Sequence, residues 1–121
     1  MIVVTGGLGF IGSAVVQQLV SRGLQVRIVD DLSKGQTPAA NAEHEFMRAD
    51  LRDPDAAERV LKDADVCYHL AAKIGGIGYF HKYPATILND NGLMLSSVFD
   101  AARKHGTKVV YISSSMVYER A

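Results

Sequence analysis

The order of segments predicts an α/β fold, a doubly wound parallel sheet of about five strands with helices on both faces. Three observations carry this expectation. Short β-branched runs alternate with helix-patterned stretches along the whole chain. A glycine-rich turn joins the first strand to the first helix, and 48% of the 121 residues are apolar, enough to bury a sheet on both sides. The length is that of one domain, so residues 1–121 are read as a single unit.

The strands are placed at Ile2–Thr5, Gln25–Asp30, Glu45–Ala49, Asp65–Ala71 and Lys108–Ser113. Between the first two, Phe10–Arg22 carries Ile11, Val15, Leu19 and Val20 at helical spacing, and Gly23 follows where a left-handed cap is tolerated. Asp53-Pro54 reads as an N-cap followed by proline at the first helical position, opening a helix to about Lys62 that buries Ala57, Val60 and Leu61. The last helix runs from Pro84 to Lys104 and closes at His105-Gly106. Its apolar residues cover about half its circumference: Leu88, Leu95, Phe99 and Ala102 share a face that Ile87, Met94, Val98 and Ala101 widen. Either a second partner covers the extra width or the helix lies deep in its own domain.

Composition narrows the function. Thirteen Lys plus Arg balance thirteen Asp plus Glu, so no net field draws in nucleic acid or anionic membrane. The single cysteine, Cys67, has no partner for an intrachain disulfide and reads as a small core residue. No run approaches the ~20 apolar residues of a membrane span. The start Met1-Ile2-Val3-Val4 is strand-like and unlike a signal peptide, which places the protein in the cytoplasm. His44, His69, His81 and His105 form no metal-ligand spacing, and no metal is expected.

Thr5-Gly6-Gly7-Leu8-Gly9-Phe10-Ile11-Gly12 lies between a strand and a helix, the context that gives a glycine motif its meaning. Glycine stands where a tight turn and a close phosphate approach leave no room for a Cβ. The following helix N-terminus offers N–H groups and the positive end of its dipole to a pyrophosphate. Asp30 ends the second strand eighteen residues past Gly12, near the offset at which a carboxylate accepts from an adenosine ribose. That favours NAD, because a 2′-phosphate beside it meets like charge, although Lys34 and Arg27 are near in sequence. Asp50-Leu51 follows the third strand, with the carboxylate suited to an adenine amino group.

Taken together, T-G-G-L-G-F-I-G, V-D-D-L-S, A-D-L-R-D, H-L-A-A and S-S-S-M-V-Y, in this order, resemble the extended short-chain dehydrogenase/reductases, in particular the NAD-dependent epimerase/dehydratase group acting on nucleotide sugars. The resemblance implies a Rossmann-type domain, an NAD cofactor and a nucleotide-sugar substrate. Gly6, Gly9 and Gly12, with Phe10 and Ile11 at the helix start, would cradle the pyrophosphate. Asp30 would hold the ribose, with Asp31, Leu32 and Ser33 along the same edge. Asp50 and Leu51 would flank the adenine. Leu70, Ala71, Ala72 and Lys73 would run beneath the cofactor, with Asn91 at the family's usual asparagine in the long helix. Ser114, four before Tyr118, would hydrogen-bond the reacting oxygen, with Ser113 and Ser115 as alternates.

The family's tyrosine and the lysine four residues after it, which handle the hydroxyl proton, have no counterpart in this sequence. The chain is therefore expected to be inactive alone and to be the amino-terminal part of a longer enzyme, truncated before its substrate domain. The long helix is where the family packs a homodimer. Met116 stands where 4,6-dehydratases carry a glutamate and 3,5-epimerising members a cysteine. A methionine moves no protons, which favours the 4-epimerase pattern. Against it, Ala72-Lys73-Ile74-Gly75-Gly76-Ile77-Gly78 resembles the loop of GDP-sugar 3,5-epimerases and fucose synthases. With Lys73, Tyr79, His81 and Lys82 around it, this stretch reads either as a flexible substrate lid over a diphosphate or as a solvated surface loop. A non-catalytic NAD(P)-binding sensor or interaction module is the alternative from another class.

Overall fold

The computed structural model describes residues 1–35, 44–74, 77–114 and 118. In chain order its elements are β1 (Ile2–Thr5), α1 (Phe10–Ser21), β2 (Val26–Asp30), β3 (His44–Arg48), α2 (Pro54–Leu61), β4 (Val66–His69), α3 (Ile77–Lys82), α4 (Pro84–His105) and β5 (Lys108–Tyr111). The five strands form one parallel sheet in the order β3-β2-β1-β4-β5. The chain leaves β1 toward β3, then crosses back to β4. The carboxyl ends of β1 and β4 therefore flank the point where the winding reverses, the place where such sheets open a crevice.

Alternation along β1 divides the core. Val3 turns to one face, where Val29, Cys67, Val60 and Leu61 of α2, and Met94, Val98, Ala101 and Ala102 of α4 are buried. Val4 turns to the other, with Val26, Ile28, and Val16 and Leu19 of α1. The buried stripe of α1 is thus Gly12, Val16 and Leu19, displaced from the expected one: Ile11 is 61% exposed, and Val15 and Val20 are only half-buried. The small Gly12 sets this rotation, since it is what allows the helix start to lie against the turn.

Several ends follow from sequence chemistry. The Asp53 side chain accepts from the Asp55 N–H at 3.0 Å, with Pro54 at the first helical position. Gly106 closes α4 in the left-handed conformation, φ 66°. Arg27, weighed above as a 2′-phosphate partner, is committed elsewhere. Its guanidinium donates to the Val60 and Lys62 carbonyls at the end of α2 and to Glu45 on β3.

Three expectations change. The fourth and fifth strands end at His69 and Tyr111, short of Ala71 and Ser113. The third is shifted by one residue, to His44–Arg48. The stretch from Ile77 to Lys82, expected to be loop, is a short helix that carries Tyr79, His81 and Lys82. Gly75 and Gly76 lie outside the described residues.

Along α4 the buried positions are Asp90, Met94, Ser97, Val98, Ala101 and Ala102. The expected width is real: Leu88 is 76% exposed, and Leu93 and Phe99 are also open. Among the described residues no helix is long and apolar enough to cross a membrane.

Replacing Asp53 by Ala removes the cap of α2 and is expected to lower stability by about 1 kcal/mol. Urea unfolding followed by circular dichroism checks this, with an unchanged m-value as the sign that only stability moved.

Candidate functional site

A cleft of about 580 Å³ opens at the carboxyl ends of the strands. Its floor is the turn from β1 into α1. Gly6 sits at φ 66°, and a Cβ there would lie 2.9 Å from the Ala71 nitrogen. A Cβ on Gly12 would overlap the Gly6 carbonyl oxygen, and one on Gly7 would press into Ile28. The turn is held by Gly6 N–H donating to the Val29 carbonyl at 2.7 Å and Gly9 N–H to that of Gly6 at 3.0 Å. Gly9 is the N-cap of α1, and no side chain caps it. The N–H groups of Phe10, Ile11 and Gly12 therefore face the cleft end of the helix without a side-chain acceptor, an arrangement suited to a pyrophosphate.

Beneath the turn, one hydroxyl ties two strands together. Thr5 Oγ1 accepts from the Leu70 and Ala71 N–H groups, both at 3.1 Å, and lies 2.8 Å from His69 Nδ1. Two accepted bonds occupy both lone pairs, so the single hydroxyl proton goes to His69 Nδ1. The imidazole is therefore neutral, with its proton on Nε2. Burial agrees, pushing His69 down to about 4. The ring lies near-parallel to Tyr111, centroids 6.2 Å apart. Cys67 on the same strand is buried and pushed up to about 12, an inert thiol as expected.

At the end of β2, Asp30 Oδ2 accepts from the Leu8 N–H at 3.1 Å and Oδ1 from the Leu32 N–H at 3.0 Å. Each oxygen keeps acceptor capacity for a sugar hydroxyl. Asp31 accepts from the Ser33 N–H. Leu32 lies in this turn at φ 63° and, unlike its neighbours, is not part of the cleft wall. Lys34 does line the cleft, and its Nζ reaches the Ile74 carbonyl across the mouth at 3.3 Å.

The far wall is set by α4. Asn91 Oδ1 accepts from the Lys73 N–H at 2.6 Å while its Nδ2 donates to the Lys73 carbonyl at 3.1 Å. This two-way clamp fixes the segment that follows β4. Asp50 is paired with Arg52, whose hydrogen bonds hold its carboxyl below the usual carboxylate range. Leu51 is almost fully buried, at the cleft's inner edge.

The wall thus gathers Gly6, Gly9, Phe10, Ile11, Gly12, Asp30, Asp31, Ser33, Asp50, Leu51, Leu70, Ala71, Ala72, Lys73 and Asn91. Lys34, named from the sequence only beside a 2′-phosphate, lines the wall, as do Arg52, His69, Met94 and Tyr111, which the sequence did not place here. Arg52 and His69 carried a local signal, a cation two residues from Asp50 and a histidine at a strand end. Ser114 and Ser113 are exposed beyond β5 and outside this wall. Ser115 and Met116 lie outside the described residues.

A model of the family described as NAD dependent epimerase/dehydratase matches residues 2–121. The chain is 37% identical over 116 residues to a protein of Methanocaldococcus jannaschii named putative UDP-glucose 4-epimerase, covering 94% of this chain and 38% of that protein. It is 34% identical over 117 residues to a GDP-mannose 3,5-epimerase of Oryza sativa subsp. indica, covering 95% and 31%. Among solved structures, the UDP-glucose 4-epimerase of Thermus thermophilus in complex with NAD superposes with a TM-score of 0.84 at 33% identity, covering 93% of this chain and 37% of that one. The chain spans about a third of the length of these relatives.

His69 gives a pH signature. The unfolded imidazole takes a proton near pH 6.5 and the folded one only near pH 4, so between these values the unfolded state binds more protons and stability rises with pH. As pH falls from 6.5 to 4, up to about 3 kcal/mol of stability should be lost. Urea midpoints across that window should flatten in His69→Asn, whereas an equal slope in both proteins would assign the loss to other groups.

Proposed function

The chain belongs to the NAD dependent epimerase/dehydratase family, and on that footing we propose that residues 1–121 are the dinucleotide-binding part of a nucleotide-sugar epimerase. The observation that carries the proposal is the cleft itself. Apart from Leu32, every dinucleotide-binding residue expected from the sequence lines one cavity at the winding reversal, and its floor is a turn that a Cβ at Gly6 or Gly12 would fill. NAD, when bound, supplies hydride transfer to and from a sugar carbon.

The chain's own residues have assignable tasks. The helix-start N–H groups of α1 take the pyrophosphate, with Gly6, Gly9 and Gly12 permitting its approach. Asp30 accepts from the adenosine ribose and repels a 2′-phosphate, and Asp50 accepts from the adenine amino group. Lys73, held at its backbone by Asn91, and the buried His69 with the exposed Tyr111 ring stacked on it wall the other end. Ser114 hydrogen-bonds the reacting oxygen in the assembled enzyme. The exposed Leu88 and Phe99 side of α4 serves a homodimer contact.

The reaction is oxidation and re-reduction at one carbon, the 4-epimerase pattern, because Met116 supplies no proton for a second chemistry. The resemblance of the Ala72–Gly78 stretch to GDP-sugar 3,5-epimerases, together with the rice relative, supports a second reading.

Titration of the purified protein by calorimetry tests the cofactor assignment. NAD is expected to bind in preference to NADP, and Gly12→Ala to weaken NAD by roughly tenfold or more. Equal affinity of Gly12→Ala for NAD would sink the assignment of this turn. The two chemistries separate by proton NMR of the enzyme turning over a nucleotide sugar in heavy water. A 4-epimerisation returns the same hydride and leaves carbon-bound hydrogens unexchanged, whereas 3,5-epimerisation brings in solvent deuterium.

A further inference from the structure

Arg52 belongs to none of the tasks just assigned, yet it lines the cleft and joins two carboxylates on different elements. Asp50 Oδ1 accepts from both the backbone N–H and the Nε–H of Arg52 at 3.0 Å. Asp50 Oδ2 accepts from a terminal guanidinium nitrogen at 2.7 Å and shares the Nε–H, at 3.2 Å, with Oδ1. The other terminal nitrogen reaches Asp90 Oδ1 at 3.4 Å. Asp90 is on α4, its side chain only 10% exposed, next in sequence to the Asn91 that clamps Lys73.

We propose that Arg52 is a positioning residue for base recognition: braced against Asp90, it fixes the Asp50 carboxylate and leaves it one acceptor position for an exocyclic amino group on the purine. This rests on the assignment of the cleft to an adenine dinucleotide. A carboxylate offers about four lone-pair positions. Three N–H donors from Arg52 fill both positions on Oδ1 and one on Oδ2, and the second position on Oδ2 meets only the longer arm of the shared Nε–H, which an incoming donor can displace. Asp50 alone, half-exposed at a loop, could turn freely and pair with water. The fork–fork pair removes that freedom, and the second guanidinium nitrogen ties the fork to a helix in the core instead of to solvent. A purine that carries oxygen in place of the amino group would set acceptor against acceptor at the one open position.

The test compares NAD with nicotinamide hypoxanthine dinucleotide, in which oxygen replaces that amino group, by titration of the intact protein and its variants. The native protein should prefer NAD by about tenfold or more, the worth of one hydrogen bond to a charged acceptor. Asp50→Asn should abolish the preference. Arg52→Met should reduce it to about threefold or less, Asp90→Ala should reduce it in the same direction, and Arg52→Lys should keep part of it. A merely structural role would weaken both dinucleotides alike and leave the ratio unchanged, and that result overturns the proposal. So does a native protein that binds both equally. If Arg52→Met does not give a cooperative thermal transition, Arg52→Lys and Asp90→Ala decide by the same ratio. A native protein that binds neither dinucleotide overturns the cofactor assignment itself, an outcome distinct from loss of the preference.

Discussion

Everything at the cleft depends on how closely the turn after β1 can approach the segment that leaves β4. Gly6 stands against the Ala71 backbone, and the start of α1 stands against Gly6, at separations that leave no room for a Cβ at residues 6 or 12. Were either gap wider by a methyl group, the helix start would move off the sheet and its N–H groups would no longer converge on one point. Close approach therefore comes first, and the anion-binding geometry follows from it.

Approach alone does not fix position, and polar groups complete the work. Thr5 bonds the chain after β4 to β1 through one hydroxyl, which is satisfied only with a neutral His69 beside it. On the opposite side, two consecutive residues of α4 reach to separate rims of the cleft. Asp90 meets Arg52 on the loop after β3, and Asn91 meets Lys73 after β4. Consecutive helix positions point about 100° apart, so one helix can brace two loops that share no contact in sequence. The cost is a nearly buried carboxylate in a helix, tolerable because its guanidinium partner is fixed from both ends.

The sheet was legible because its signals are local. β-branched residues mark β1, β2, β4 and β5 but not β3, which carries none, and the Asp53-Pro54 and His105-Gly106 pairs mark helix ends through backbone chemistry that needs no tertiary partner. The glycine turn, Asp30 and Asp50 were legible because their spacing along the chain is set by a strand or a helix. Three things were not. The buried face of α1 was misplaced because Gly12 counts as nothing in a hydrophobic pattern, although its lack of a side chain is what docks the helix. The short helix at Ile77–Lys82 follows a glycine-rich stretch that propensity alone marks as loop. The partners of Arg52, His69 and Lys34 lie 38, 64 and 40 residues away in the chain, so their local signals did not show which contacts hold them in the cleft wall.

The charges of the cleft show why a chain with no net charge can still hold a dinucleotide. Cations and carboxylates are present in similar number around the wall, Lys34, Arg52 and Lys73 against Asp30, Asp31 and Asp50. Yet Arg52 faces Asp50 directly, and Lys34 is turned to a backbone carbonyl. On the proposed assignment the doubly charged pyrophosphate falls chiefly to backbone N–H groups, which cost no side-chain entropy and bring no counter-charge of their own, with Lys73 the cation not engaged by the pairs just named. The same assignment gives the carboxylates hydroxyl and amino groups, neutral donors that do not compete with the phosphates. On that assignment hydrogen-bond polarity reads the ribose hydroxyls and the purine, while the charge of Asp30 adds the discrimination against a 2′-phosphate, the part that rising salt screens.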